Sequence, residues 1–225
     1  MLRDFINLIF PNYCITCNSS LYKQEKFICL QCKNELPELF YAANTTNPAA
    51  KLLTGRTSFN TCLPLYYYQK GGKVQKILKS LKYDNQTELC EFLGSLIGIK
   101  LKSFDSLNDI DLIIPVPLHP DREKIRGYNQ SYYLGIGIAS VLNIDVLEKA
   151  IIRKVNNATQ TNKSRQERWQ NVNDIFTLSS TTSLINQHVL LVDDVITTGS
   201  TVESCCNVLN KVNGIKISIA TLAGA

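Results

Sequence analysis

Residues 189–201 read Val-Leu-Leu-Val-Asp-Asp-Val-Ile-Thr-Thr-Gly-Ser-Thr. The apolar run 189–192 is short enough for a strand and uniform enough to be buried on both faces. Two carboxylates follow, Asp193 and Asp194. A loop of small residues comes next, and then the apolar spacing of a helix over 200–210. In that helix Val202, Cys205, Cys206 and Leu209 recur at i, i+3, i+4 and i+7, so this cysteine pair reads as core. A buried strand that feeds a helix through a tight loop is part of a βαβ unit, which calls for a parallel sheet.

The rest of the chain repeats the alternation. Strand patterns at 63–69, 113–116, 146–147 or 151–152, and 215–222 are interleaved with helical patterns at 73–83, 88–101 and 129–142. The expected architecture is α/β, an open and mainly parallel sheet covered by helices on both faces. Residues 36–62, with Pro37, Asn44-Thr45-Thr46-Asn47-Pro48 and Gly55, are polar and turn-rich and read as a linker or irregular arm. On the helix at 73–83, Lys73, Lys76, Lys79 and Lys82 lie opposite the stripe of Val74, Ile77, Leu78 and Leu81. That face is either solvated or anion-attracting.

Composition sets the outer limits. The chain has 225 residues, 44% hydrophobic and 19% charged, an ordinary globular balance. A net charge of +5 permits an anionic ligand or nucleic acid without requiring either. No apolar stretch is long enough for a transmembrane helix, and the N-terminus lacks the pattern of a signal peptide, so membrane insertion is not expected and a cytoplasmic location is.

Four of the eight cysteines are spaced as Cys14-x-x-Cys17, eleven intervening residues, then Cys29-x-x-Cys32. Two such turns can close a tetrahedral S₄ site suited to structural Zn²⁺; the alternative is a pair of redox dithiols or unligated thiols. A four-thiolate site leaves no open position for catalysis. Residues 1–35 are read as this zinc-ribbon-like segment, residues 36–110 as a linker and variable hood, and residues 111–225 as the α/β core. Removing the metal is expected to unfold the first segment and spare the core.

The chemistry concentrates at the end of the 189–192 strand, where open α/β sheets bind ligands. A helix N-terminus offers unpaired N–H groups to a phosphate. Thr197, Thr198, Ser200 and Thr201 add hydroxyls, and Gly199 lets the backbone approach closely. Asp193 and Asp194 can hold sugar hydroxyls directly or through Mg²⁺. A phosphate and a sugar diol bound within one turn describe a phosphoribosyl group. The glycine spacing is that of neither a P-loop nor a dinucleotide loop.

The segment from Leu191 to Thr201 resembles the phosphoribosyl-pyrophosphate (PRPP) motif of type I phosphoribosyltransferases. Three further segments narrow the likeness: Ile114-Pro115-Val116-Pro117-Leu118-His119-Pro120, Arg126-Gly127-Tyr128-Asn129-Gln130, and Arg165-Gln166-Glu167-Arg168 with Asn171-Val172. With the four-cysteine knuckle they look like the ComF family, the competence protein F group, over nearly the whole chain. Tyr128 stands where Phe is usual, and Arg122-Glu123-Lys124 replaces a more arginine-rich run.

The resemblance implies a type I phosphoribosyltransferase-like fold and Mg²⁺-dependent binding of PRPP. A nucleophile would displace pyrophosphate from ribose C1 with inversion. It implies that Asp193 and Asp194 hold the ribose hydroxyls and organise metal. Thr197, Thr198, Gly199, Ser200 and Thr201 would cradle the 5′-phosphate, and Val116, Pro117, Leu118 and His119 would face the pyrophosphate. His119 is read with equal weight as contacting only a neighbouring carbonyl. Arg165 and Arg168 fall where a mobile loop closes over the site. The family's link to natural transformation implies a role in DNA uptake, as an enzyme with an unassigned acceptor or as a non-catalytic module that partners a DNA helicase or translocase. A third reading has the knuckle and the lysine helix contact single-stranded DNA.

Overall fold

The computed structural model describes residues 11–39, 47–83, 86–154, 175–179 and 184–225. Five parallel strands form the main sheet in the order β1-β7-β6-β2-β3. They are β1 (Thr61–Tyr67), β2 (Leu112–Pro115), β3 (Asp145–Val146), β6 (His188–Ile196) and β7 (Lys216–Gly224). A separate antiparallel pair joins β4 (Ile151–Arg153) and β5 (Phe176–Leu178). Both strand readings at 146–147 and 151–152 therefore hold in part, in two different sheets.

The two-residue period of the strands sorts the core into two layers. Leu63, Leu65, Ile113, Leu190, Val192, Ala220 and Leu222 face one cluster. Cys62, Ile114, Val189, Leu191, Ile217 and Ile219 face the other. Tyr66 is buried and its neighbour Tyr67 is exposed, as alternation along β1 demands. The second cluster contains Cys205 and Cys206, fully buried on the C-terminal helix.

Seven α-helices are described: α1 (Leu30–Asn34), α2 (Pro48–Leu53), α3 (Lys73–Ser80), α4 (Thr87–Leu101), α5 (Pro120–Arg126), α6 (Gln130–Leu142) and α7 (Ser200–Leu209). Helices α4 and α6 touch at the backbone. A methyl group on Gly94 would sit 2.1 Å from the Leu134 carbonyl oxygen, and one on Gly137 would sit 2.1 Å from that of Glu91. Only glycine permits so close an approach.

The described residues 47–62 are more regular than their composition suggests. Asn47 caps α2 by accepting from the Ala50 N–H at 2.9 Å, and Pro48 takes the first helical position. Asn-Pro here is a helix start, where it was expected to be a turn. Ala49, Ala50 and Leu53 are buried, and β1 completes an edge of the main sheet.

The four-cysteine segment also sits differently from a free-standing knuckle. Cys14, Ile28, Cys29, Cys32 and Leu36 belong to the same apolar cluster as Leu65 of β1 and Val74 and Ile77 of α3. The segment is thus packed onto the α/β core. No described helix is long and apolar enough to cross a membrane.

Candidate functional site

Strand β6 runs four residues beyond the apolar stretch expected from sequence, so Asp193 and Asp194 lie on the strand itself. Both border a cavity of about 250 Å³ at the C-terminal end of the sheet. The Ser131 hydroxyl donates to Asp193 Oδ1 at 3.0 Å, and the Asp194 N–H donates to the same oxygen at 2.9 Å. Burial, then the charge of Asp194, push the Asp193 carboxyl up to about 7 against the pull of these donors and Lys82. Burial also raises Asp194, opposed by Lys82 and Arg126. Two adjacent carboxyls whose charged forms burial disfavours would gain from a cation or from sugar hydroxyls.

Beyond the acids the chain turns into α7. Gly199 caps that helix at φ +77°, in the left-handed region, and a methyl group there would press on Leu53 at 2.9 Å. A small hollow is lined by Thr197, Thr198, Gly199, Ser200 and Thr201, with Asp193 at one side. Thr198 and Ser200 pair through their hydroxyls at 3.0 Å. Arg56 braces the loop, donating to the Thr198 carbonyl at 2.7 Å and pairing with Glu203.

Opposite the acids, Val116, Pro117 and Leu118 line the same cavity. The Val116 N–H donates to the Val192 carbonyl at 2.9 Å, and the Asn129 amide donates to the Val116 carbonyl at 3.1 Å. His119 does not share the cavity. It caps α5, its Nδ1 accepting from the Asp121 N–H at 3.2 Å, so its partner is a backbone N–H where a neighbouring carbonyl was the expected alternative to pyrophosphate. Arg165 and Arg168 lie outside the described residues.

The structure brings together cations that the sequence had named separately or for other reasons. Lys82, Arg122, Arg126 and Arg153 place four cations around the cavity. Arg126 donates to Gln130 Oε1 at 3.0 Å, which leaves Gln130 Nε2 turned away from its one partner. Among the described residues, Gln130 Nε2 and Arg153 Nε are the buried side-chain polar atoms with no hydrogen-bond partner. Burial, and then the proximity of Arg122, lower the Arg153 guanidinium from its ordinary value. Unsatisfied donors and crowded cations around a concave site call for an anion.

At the four-cysteine centre all four sulfurs lie within 4.8 Å of one another. A tetrahedral Zn²⁺ with Zn–S bonds of about 2.3 Å sets sulfurs about 3.8 Å apart; the Cys17 and Cys29 sulfurs are separated by 3.7 Å. The Cys29 N–H points at Cys14 Sγ at 3.3 Å and the Cys32 N–H at Cys29 Sγ at 3.4 Å. Burial raises the Cys14 thiol, but the Thr16 hydroxyl and nearby N–H groups outweigh it and bring it down to about 6. At Cys29 the Cys32 N–H is outweighed by burial and the neighbouring thiols, which push it up to about 12. Four thiolates cannot coexist here without a cation, so the donor set fits a metal.

Residues 129–225 match the family model described as the phosphoribosyl transferase domain. The mainly parallel sheet flanked by helices agrees with it, and the chain is of the type I phosphoribosyltransferase-like fold class. Longer likenesses extend beyond that domain. The chain is 27% identical to competence protein F of Haemophilus influenzae, over 94% of this chain and 96% of the relative. It is also 27% identical to DNA utilization protein YhgH of Escherichia coli K12, over 87% and 83%. Competence protein ComFC of Streptococcus pneumoniae is 31% identical over 54% and 50%. The chain is thus similar over most of its length to competence protein F and YhgH homologues, in line with the ComF-family resemblance that its motifs carry.

Proposed function

We propose that the protein binds PRPP together with Mg²⁺ at the Asp193–Asp194 cavity and serves DNA uptake. The observation that carries this reading is the division of one cavity into an acidic floor and a cationic wall, beside a helix N-terminus. The α7 N-terminus and the hydroxyls of residues 197–201 suit the 5′-phosphate. Asp193 and Asp194 suit the ribose hydroxyls. Lys82, Arg122, Arg126 and Arg153 suit the pyrophosphate.

Mg²⁺ prefers oxygen ligands and keeps company with phosphates, and the two carboxylates are the residues that would hold it. Bound there, it would supply charge neutralisation for the pyrophosphate. The chain's own part is to orient the ribose through the acids and to neutralise the departing group through the arginines. In a transfer, an acceptor atom forms a bond to ribose C1 while the C1–O bond breaks, and pyrophosphate leaves with the electron pair. The experiment is calorimetric titration of PRPP with and without Mg²⁺, followed by assay of pyrophosphate release against candidate acceptors.

A second reading draws on the relatives' names, competence and DNA utilization. The site then binds its ligand as a sensor or assembly switch for a DNA helicase or translocase, without turnover. Binding of PRPP with no pyrophosphate released against any acceptor favours it. Contact with single-stranded DNA would rest on the knuckle, where Tyr13 and Tyr22 are exposed, more than on the lysine helix. Lys73, Lys76 and Lys82 of that helix have partners within the protein.

A further inference from the structure

Helix α3 spans the distance between the four-cysteine centre and the acidic cavity, and its lysines are engaged at both ends. Lys73 pairs with Glu35, just past Cys32. One turn later, Lys76 Nζ donates to the Thr16 carbonyl at 2.7 Å, between Cys14 and Cys17. Beyond the last turn, Lys82 Nζ lies 4.0 Å from Asp194 Oδ2 and lines the cavity. Lys79, midway, is exposed.

The backbone that delivers Lys82 is held from three directions. The Leu81 side chain is fully buried. The Lys82 N–H donates to the Lys79 carbonyl at 3.0 Å. The Tyr128 hydroxyl donates to the Leu81 carbonyl at 2.6 Å. Tyr128 stands in the segment that also supplies Arg126 and Gln130 to the cavity, so its hydroxyl ties the two walls together.

We propose that Lys82 is a positioning residue for the anionic ligand of this cavity, set in place by a helix clamped to the four-cysteine segment. The proposal deepens the PRPP reading and rests on it. At 4.0 Å the ammonium is too far from Asp194 for a hydrogen bond, which leaves its donors for a ligand oxygen. Its charge also offsets the repulsion between the two acids. The other groups that face the pair are Arg126, Arg153 and the Ser131 hydroxyl, with the Cys90 and Cys205 thiols nearby.

The test is titration of the full chain with PRPP and Mg²⁺. Lys82→Met is expected to weaken affinity at least tenfold. Lys82→Arg is expected to restore most of the loss, and Lys79→Met to bind as the unaltered chain does. Lys76→Met and Tyr128→Phe are expected to lose affinity several-fold. Lys82→Gln gives the same reading should the Met variant fail to fold. Unaltered affinity in Lys82→Met, while the unaltered chain binds PRPP, would overturn this proposal alone. No PRPP binding by the unaltered chain would overturn the reading of the cavity, and the role of Lys82 with it.

Discussion

The Ser131 hydroxyl donates to Asp193 Oδ1 at 3.0 Å, joining the first turn of α6 to the end of β6. One side chain thereby fixes the rotamer of an acid that burial has pushed up to about 7. Replacing Ser131 by Ala is expected to cost about 1 kcal/mol of stability. It should also raise the Asp193 titration further, since a donor to the charged form is lost. Carboxyl ¹³C shifts followed across pH check this, and an unmoved Asp193 midpoint would contradict it.

Asp193 gives the ligand-free protein a pH signature of definite sign. Its folded value, about 7, lies above the unfolded value of about 3.9. The unfolded chain therefore releases this proton first as pH rises, and the fold loses stability between about pH 4 and 7. The slope from this group is at most about 1.4 kcal/mol per pH unit. Asp193→Asn is expected to flatten that part of the profile and to raise the melting temperature at pH 8. Denaturant midpoints measured across pH provide the test, and identical profiles for the two proteins would refute it.

The contact of α4 with α6 is a packing limit. Gly94→Ala and Gly137→Ala place a methyl group 2.1 Å from a backbone carbonyl oxygen, which only a shift of a helix can relieve. Each is expected to cost about 3 kcal/mol or more. Gly135→Ala meets the Ile113 side chain at 3.2 Å and should cost less. Thermal melts of the three variants rank them.

Metal removal bears on how the segments are joined. Because Cys14, Cys29 and Cys32 share an apolar cluster with β1 and α3, chelation is expected to lower the main cooperative transition as well as loosen residues 11–39. Calorimetry with and without chelator separates the outcomes. A main transition left in place would return the four-cysteine segment to the status of an independent unit.

The legible parts of the molecule were local ones. The strand, acids, loop and helix of residues 188–209 are contiguous, and the strand and helix periods report directly on burial. The cysteine spacing likewise brought four sulfurs together. The cationic wall was illegible because it is tertiary. Lys82, Arg122, Arg126 and Arg153 come from the end of α3, from α5 and from β4, and meet only when the sheet is assembled. The Arg-Gly-Tyr-Asn-Gln run shows the difference well. Its sequence marked a family, but its tasks appear only in space: Gly127 ends α5 at φ +79°, Tyr128 holds Leu81, Asn129 holds Val116, and Gln130 faces the cavity. Helix α2 was missed because Asn-Pro signals both a turn and a helix start, and the burial of Leu53 decides between them.

The central claim is a Mg²⁺-dependent phosphoribosyl site on Asp193 and Asp194. Its most direct test is calorimetric titration of PRPP into the zinc-loaded protein and into the Asp193→Asn, Asp194→Asn double variant. The expected result is saturable binding that requires Mg²⁺ and is lost in a double variant that remains folded. Equal PRPP affinity in the two proteins would contradict the assignment of the site.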